Sequence, residues 1–465
     1  MPPVRHSQKV IGGGIRRGND CQHTGLHFPA RTATYGELVS QLSSANTREM
    51  TVAPFNGRHT DIRNRRQSLV FDLLLTGVCR LVLNTARRFA YPFAPALSRA
   101  MGVPLTHITS MIAVNQASGL LALFFGPFAD RLGYRFMMLL GLFLLAVGML
   151  AAASLPFFAV VLIALFLAGL GKNIFDPAIQ AYVGERVPYE KRGLAIGLIE
   201  TSWAASTLIG IPLVGLLITW QGWRAPFAAM GIAALGGMVL IALRLPPEST
   251  AHAGRFGTAD LRCAWGRLYR SRIARTMLAL AFLVSMANDG VFVIYGAWLE
   301  KNFHLSVTQL GLGSSVIGIA ELCGEFLTVG LADRMGKPRA LLTGIGLSMI
   351  AYIVLPWTAI SLPFALTGLF ALFIAVEFTF VTALSMATEI LPDQRATMMS
   401  GMLAVAGMGR MAGAITGGFL WVWHGATAVA LLSAFLSGGH IDRARASPNW
   451  RPPFWVFFSD HALSK

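Results

Sequence analysis

From Leu69 to the neighbourhood of Leu436 the chain is a succession of apolar stretches, each close to the length of a bilayer, separated by short polar segments. A helix needs roughly 20 mostly apolar residues to cross a hydrocarbon core of about 30 Å. Inside that core it must also satisfy its own backbone hydrogen bonds. Eleven such stretches can be drawn, over 69–93, 108–128, 136–154, 157–183, 194–220, 226–245, 274–299, 307–332, 340–357, 362–391 and 397–423. A twelfth starts near Ala426 and loses its apolar character at "SGGHIDRARASPNWRPP", so the last span is expected to be short or truncated. The pattern predicts an all-α polytopic membrane protein with nominally 12 spans.

Charge is sparse and unevenly placed. Only 13% of residues are charged, and Lys and Arg exceed Asp and Glu by 38 to 22. The basic residues sit in short segments between spans rather than on one surface, which argues against nucleic acid as a partner and follows the positive-inside rule. Counting alternate loops places Arg131, Arg135, Arg186, Lys191, Arg192, the run from Arg244 to Arg275, Arg334, Lys337, Arg339 and Arg395 on one side. The other side holds little beyond Arg99, Arg224 and Lys301, so the N-terminus is expected in the cytoplasm. The four cysteines show no metal-ligand spacing, and the ten histidines are dispersed. Neither a metal site nor a membrane-embedded enzyme is expected, and no residue is assigned a catalytic role.

Residues 1–68 are basic and polar, lack the apolar core of a cleavable signal, and read as a disordered cytoplasmic extension or as residues preceding a true start at Met50. A central cytoplasmic loop over 246–273 separates a six-helix bundle at 69–245 from a second bundle at 274–436, and an atypical polar tail follows over 437–465.

The two bundles repeat. "GPFADRLGYR" (126–135) returns as "VGLADRMGKPR" (329–339), with Asp130 and Asp333 203 positions apart. "GERVPYEKRG" (184–193) returns as "TEILPDQRAT" (388–397), where Glu185 matches Glu389 and Pro188 matches Pro392 at an offset of 204. Two landmarks in one register predict two bundles related by a pseudo-twofold axis.

On these residues the chain resembles the major facilitator superfamily of secondary transporters, over about 69–436. Gly126, Asp130, Arg131, Gly133 and Arg135 match the family's signature between spans two and three. Asp333, Arg334 and Gly336 form a weaker copy, with Val329 in place of the leading Gly and Pro338 displacing the last basic residue to Arg339. The glycines allow a sharp turn, Asp130 can face a helix N-terminus, and the arginines can meet lipid phosphate or an acid such as Glu185. The resemblance implies a latch between the halves, made in one access state and broken in the other. It also implies a monomer that moves a small solute through the lipid bilayer, without a cofactor, in a bacterial inner membrane. "TLIGIPLVGLL" in span five resembles the Gly/Pro-rich motif of proton-coupled exporters, which favours efflux driven by a proton gradient. Uptake by symport and a homologue that no longer transports are the other readings.

Ionisable groups inside apolar spans are costly and by default point to function. Arg80 and Asn84 in span one, Lys172 in span four, Asp289 in span seven, Glu377 in span ten and Arg410 in span eleven fall near one mid-membrane plane. They predict a cavity with a basic first-half wall and an acidic second-half wall, suited to a polar, zwitterionic or anionic solute. Other readings are local: Lys172 and Asp176 neutralising each other at i, i+4, Glu377 pairing with Arg410, and Arg88 snorkelling to an interface.

Overall fold

The computed structural model describes residues 58–121, 132–187, 189–245, 266, 268–390 and 395–438. The chain divides into two units, Met1–Ile62 and Arg63–Lys465, and all that follows concerns the second apart from the first turn of one helix. The expected N-terminal extension, central loop and polar tail lie largely outside the described residues.

All regular structure among the described residues is helical. Span 1 is α1 (Arg58–Arg88) followed by α2 (Ala90–Met101). Span 2 begins with α3 (Leu105–Ala117) and a 3-10 turn at Ser118–Leu121. Spans 3 and 4 are α4 (Tyr134–Ser154) and α5 (Phe158–Arg186). Span 5 is α6 (Tyr189–Ala205), a π-turn at Ser206–Gly210 and α7 (Ile211–Gln221), and span 6 is α8 (Ala225–Arg244). The second half runs α9 (Arg272–Phe292) and α10 (Tyr295–Phe303) as span 7, then α11 (Val307–Leu327), a π-turn and α12 (Asp333–Met335) as span 8. Spans 9 and 10 are α13 (Lys337–Val354) and α14 (Leu362–Ile390). Spans 11 and 12 form one run, α15 (Arg395–Gly438), broken at Gly425. Nine helices among the described residues are long and apolar enough to cross a membrane, the last of them containing both of these spans.

The repeat is written into the backbone. Six described residues have positive φ, and they fall into three pairs: Gly102 with His304, Gly133 with Gly336, and Gly222 with Gly425. The offsets are 202, 203 and 203. Left-handed backbone costs an L-residue roughly 1–2 kcal/mol, so five of the six are glycine. His304 adopts it at φ 52° to close α10, its N–H donating to the Glu300 carbonyl at 2.9 Å. Spans 1 and 7 also break at matching places, at Phe89 and at Val293–Ile294. In span 1 the break has a covalent cause, because Pro92 has no N–H to offer the carbonyl of Arg88. In span 7 no proline is present, and a tight bond from Ile294 N–H to the Val291 carbonyl at 3.1 Å makes the turn.

Between apolar helices in lipid, close packing replaces the hydrophobic drive of water. Spans 7 and 11 show how. Gly409, Gly413 and Gly417, each one turn from the next, lie so close to the carbonyls of Phe282, Met286 and Gly290 that a Cβ would stand 2.2–2.4 Å from those oxygens. Local caps fix other helix starts: Ser306 accepts from the Gln309 N–H at 3.3 Å while its own N–H donates to the Gln309 side chain at 2.8 Å.

One end of the bundle carries the turns at Gly102, Gly222, His304 and Gly425, and the other those at Gly133 and Gly336. Trp220, Trp357 and Trp423 are all exposed near the first of these, the Gly102 end. Trp220 and Trp423 occupy equivalent repeat positions. Tryptophan favours the membrane–water boundary, so this belt marks where the Gly102 end leaves the hydrocarbon.

Candidate functional site

Span 1 presents a polar face. Arg80, Asn84, Arg87, Arg88 and Tyr91 recur at helical spacing and all five are buried. What each one meets decides what the site can do.

Arg80 is consumed within the first half. Its Nε donates to Asp176 at 2.9 Å, its two terminal nitrogens reach Glu200 at 2.9 Å and the Ile199 carbonyl at 2.8 Å. Lys172 pairs with the other oxygen of Asp176. Asn84 donates to Ser202 at 3.3 Å. Two cations and two carboxylates therefore form one closed, neutral group, as buried charges require. Arg80, Asn84 and Lys172 hold spans 1, 4 and 5 together and do not line the cavity between the halves.

Arg88 crosses between the halves instead of snorkelling. It is 3% exposed and forms a two-pronged pair with Glu321 of span 8, at 2.5 and 3.0 Å. Its guanidinium lies over the Trp203 ring at 4.3 Å, and Thr207 adds a hydroxyl bond to Glu321 at 3.3 Å. The planar fork matches a carboxylate and explains why arginine rather than lysine stands here.

A second link runs from a cation to a carboxylate through two neutral groups. Arg87 donates to the Gln116 amide oxygen at 2.5 Å, Gln116 donates to the Tyr91 hydroxyl at 2.6 Å, and Tyr91 donates to Asp289 at 2.7 Å. Arg87 also reaches Asn173 at 3.2 Å. The chain of bonds starts in spans 2 and 4 and ends on span 7, in the other half.

Between these links lies a cavity of about 90 Å³. The first half contributes Arg88, Tyr91, Gln116 and Trp203. Span 7 contributes a face that includes Ser285, Asn288, Asp289 and Phe292, and span 10 contributes Phe373, Val376, Glu377 and Phe380 at i, i+3, i+4 and i+7. Glu321 and Arg410 complete the wall. Asp289, Glu377 and Arg410 thus meet at the cavity, while the first-half basic wall expected opposite them keeps a single cation, Arg88, among aromatic and amide groups. Glu377 and Arg410 form no ion pair with each other, and among the described residues neither accepts or donates a side-chain hydrogen bond. Gly324 of span 8 makes room for Glu377: a Cβ there would come within 2.8 Å of the Glu377 Cβ.

The contacts that join the halves run from this cavity to the Gly102 end. Gly296 and Gly418 lie directly against Pro92 and Thr109, and Gly215 and Gly311 let spans 5 and 8 touch. Thr219 and Thr308 share a hydrogen bond at 2.9 Å, and Arg99 pairs with Glu300 at 2.7 Å. The Gly102 end is closed.

The signature residues Gly126, Asp130 and Arg131 lie outside the described residues. Gly133 and Gly336 open spans 3 and 9 with φ of 87° and 81°. Arg135 donates to the Ala242 carbonyl at 2.5 Å, tying span 3 to span 6 instead of to Glu185. Asp333 lies 4.0 Å from Lys337, and Lys337 reaches Glu389 at 2.5 Å, all within the second half. Asp333 itself and Arg334 are exposed.

The functional residues that sequence reasoning missed are Tyr91, Gln116 and Trp203, whereas Glu321 stands out as an acid inside span 8. Tyr91 was findable, since it continues the Arg80–Arg88 stripe by one turn; Gln116 and Trp203 carry no charge to mark them.

Comparison with known proteins agrees with this architecture. The Major Facilitator Superfamily profile matches residues 73–288 and 277–457. An uncharacterized MFS-type transporter, YceJ of Bacillus subtilis (strain 168), is 25% identical over 342 residues, 73% of this chain and 86% of that protein. A multi-drug resistance efflux pump PmrA homolog of Lactococcus lactis is 24% identical over 61% of this chain and 71% of its own length. Among solved structures, a bacterial homolog of the human lysosomal transporter Spinster, inward-facing and unoccupied, superposes with a TM-score of 0.67. It is 15% identical, over 81% of this chain and 95% of that one. A D-xylose–proton symporter gives 0.62 at 15% identity, over 80% and 97%. Two six-span repeats facing each other across one polar cavity, with the family profile matched along both, place the chain in the major facilitator superfamily of membrane transporters.

Proposed function

We propose that the protein exports a small organic solute in exchange for protons by alternating access. The observation that carries this reading is the pair of carboxylates at the inter-half cavity: Glu377 without a partner, and Asp289 bonded across the interface to Tyr91. A carboxylate in such a place is costly as a bare anion. A proton neutralises it, and a solute that completes the site competes with that proton. Competition for one group from opposite sides of the membrane is exchange.

Protonation of Asp289 also removes the charge that Tyr91 serves, which loosens a link holding the Gly102 end closed. In this reading the Gly133 end faces the cytoplasm of a bacterial cell, because the arginine-rich turns lie there, and the two Asp-Arg turns latch that end in the opposite access state. The working unit is the monomer. Relatives named as a multi-drug efflux pump and as a chloramphenicol resistance protein of Streptomyces lividans support export.

The test is flux in proteoliposomes with an imposed pH gradient, using labelled chloramphenicol, nicotinamide and tetraphenylphosphonium as the panel. Concentrative movement of a probe against the proton flow, abolished when the gradient is collapsed, is expected. Movement along the proton flow would instead make the protein an uptake symporter, and concentration without a gradient would remove protons from the mechanism.

A further inference from the structure

The charges around the cavity do not balance, and the imbalance has a place. Arg88 is matched by Glu321 through two bonds. Arg410 and Asp289 offset one another in the count of lining charges, and Arg87 stands behind the wall with its bonds to amide oxygens. Glu377 is left over. It sits on span 10 with Phe373 one turn before it and Phe380 one turn after it, on the same helix face, and Phe292 packs edge-on against Phe373 at 5.4 Å between ring centroids. Beside Asp289, the Asn288 amide oxygen is buried and takes no hydrogen bond. An unpaired carboxylate between aromatic faces, next to an unfilled acceptor, is the complement of an organic cation.

We propose that Glu377, Phe373 and Phe380 form the binding site for a monovalent organic cation with an apolar or aromatic body, Glu377 acting as its counter-ion. The proposal rests on the reading of this cavity as the solute site, and it does not depend on protons or on the direction of transport. The rings take the apolar body and offer their negative faces to the charge. Arg88 commits both terminal nitrogens to Glu321, which leaves only its Nε without a partner.

The test is equilibrium binding to the purified full-length chain in detergent, with no gradient, using three probes of similar size. These are tetraphenylphosphonium (cation), triphenylphosphine oxide (neutral) and tetraphenylborate (anion). The cation is expected to bind most tightly, with Glu377→Gln weakening it about tenfold or more and leaving the neutral probe within about twofold. Phe380→Leu should weaken the cation by a smaller factor, and Glu389→Gln, which pairs with Lys337 outside the lining, should leave all three probes unchanged. Equal or tighter binding of the oxide or the borate overturns the proposal, as does the absence of cation binding or a folded Glu377→Gln that keeps full cation affinity. If Glu377→Gln does not fold, the ranking of the three probes on the unaltered protein decides. Because no gradient is applied, failure of proton-driven export leaves this result standing, and the reverse also holds.

Discussion

Two glycines make an internal control for what holds the Gly102 end closed. A Cβ on Gly296 would stand 2.3 Å from the Pro92 carbonyl oxygen, across the seam between the halves. A Cβ on Gly413 would stand 2.3 Å from the Met286 carbonyl oxygen, within the second half. Ordinary contact needs about 1 Å more, so in either alanine variant two backbones must part by roughly that distance. Overpacking of this kind costs about 1–3 kcal/mol. For Gly413→Ala the cost falls on every conformation, because spans 7 and 11 stay together throughout; stability drops and the access state does not change. For Gly296→Ala it falls only on the arrangement closed at the Gly102 end. The equilibrium should then shift toward opening there by a factor of about 5–150. The assay is the distance distribution between spin labels at Trp220 and Ile360, both exposed and in different halves, in a background whose native cysteines are replaced by alanine. Gly296→Ala should add a longer-distance population and Gly413→Ala should not. Identical distributions for Gly296→Ala and the parent, or an equal shift in Gly413→Ala, would refute the reasoning.

Other expectations follow from the two links across the cavity. Arg88→Met alone leaves Glu321 buried and uncompensated, and should cost about 3–5 kcal/mol, whereas Arg88→Met with Glu321→Leu should recover most of it in thermal unfolding in detergent. Tyr91→Phe removes the only described hydrogen bond to the Asp289 carboxylate and one acceptor of Gln116, and should destabilise the closed Gly102 end by about 1–3 kcal/mol, read by the same spin-label pair. Arg80→Gln should lower the melting temperature more than Lys172→Gln, since Arg80 holds two carboxylates and a carbonyl while Lys172 holds one carboxylate that Arg80 also serves.

Much of the fold can be read from the chain because lipid leaves few options for an apolar stretch of that length. The Asp-Arg-x-Gly turns carry their register in the sequence, and the backbone repeats it at Gly133 and Gly336. The pair Gly102 and His304 is hidden because one member is not glycine. The break at Phe89 has a proline to announce it, and its partner at Val293 has none. Helix ends misled in one place: with span 1 ending near residue 93, Arg88 lies close enough to an interface to snorkel. The chain instead continues as α2 to Met101, which carries Arg88 into the middle of the membrane.

The site was half legible for a related reason. A charge in an apolar span stands out, so Asp289, Glu377 and Arg410 could be singled out. Which charges pair with which depends on how helices are rotated about their axes, and spacing along one helix does not determine that. Arg80 and Lys172 turn toward Asp176 and away from the second half, and the wall expected to be basic keeps only Arg88, paired with Glu321, beside Tyr91, Gln116 and Trp203. A cavity thought to suit zwitterions or anions therefore becomes one that favours a cation.

Alternating access requires the halves to part at the Gly102 end during each cycle. Thr219 of span 5 and Thr308 of span 8 already bring their hydroxyl oxygens to 2.9 Å across that seam. Thr219→Cys with Thr308→Cys should form a disulfide there, and flux of whichever panel probe the protein carries should stop on oxidation and return on reduction with dithiothreitol. Undiminished flux through the oxidised, cross-linked protein would contradict alternating access at this seam.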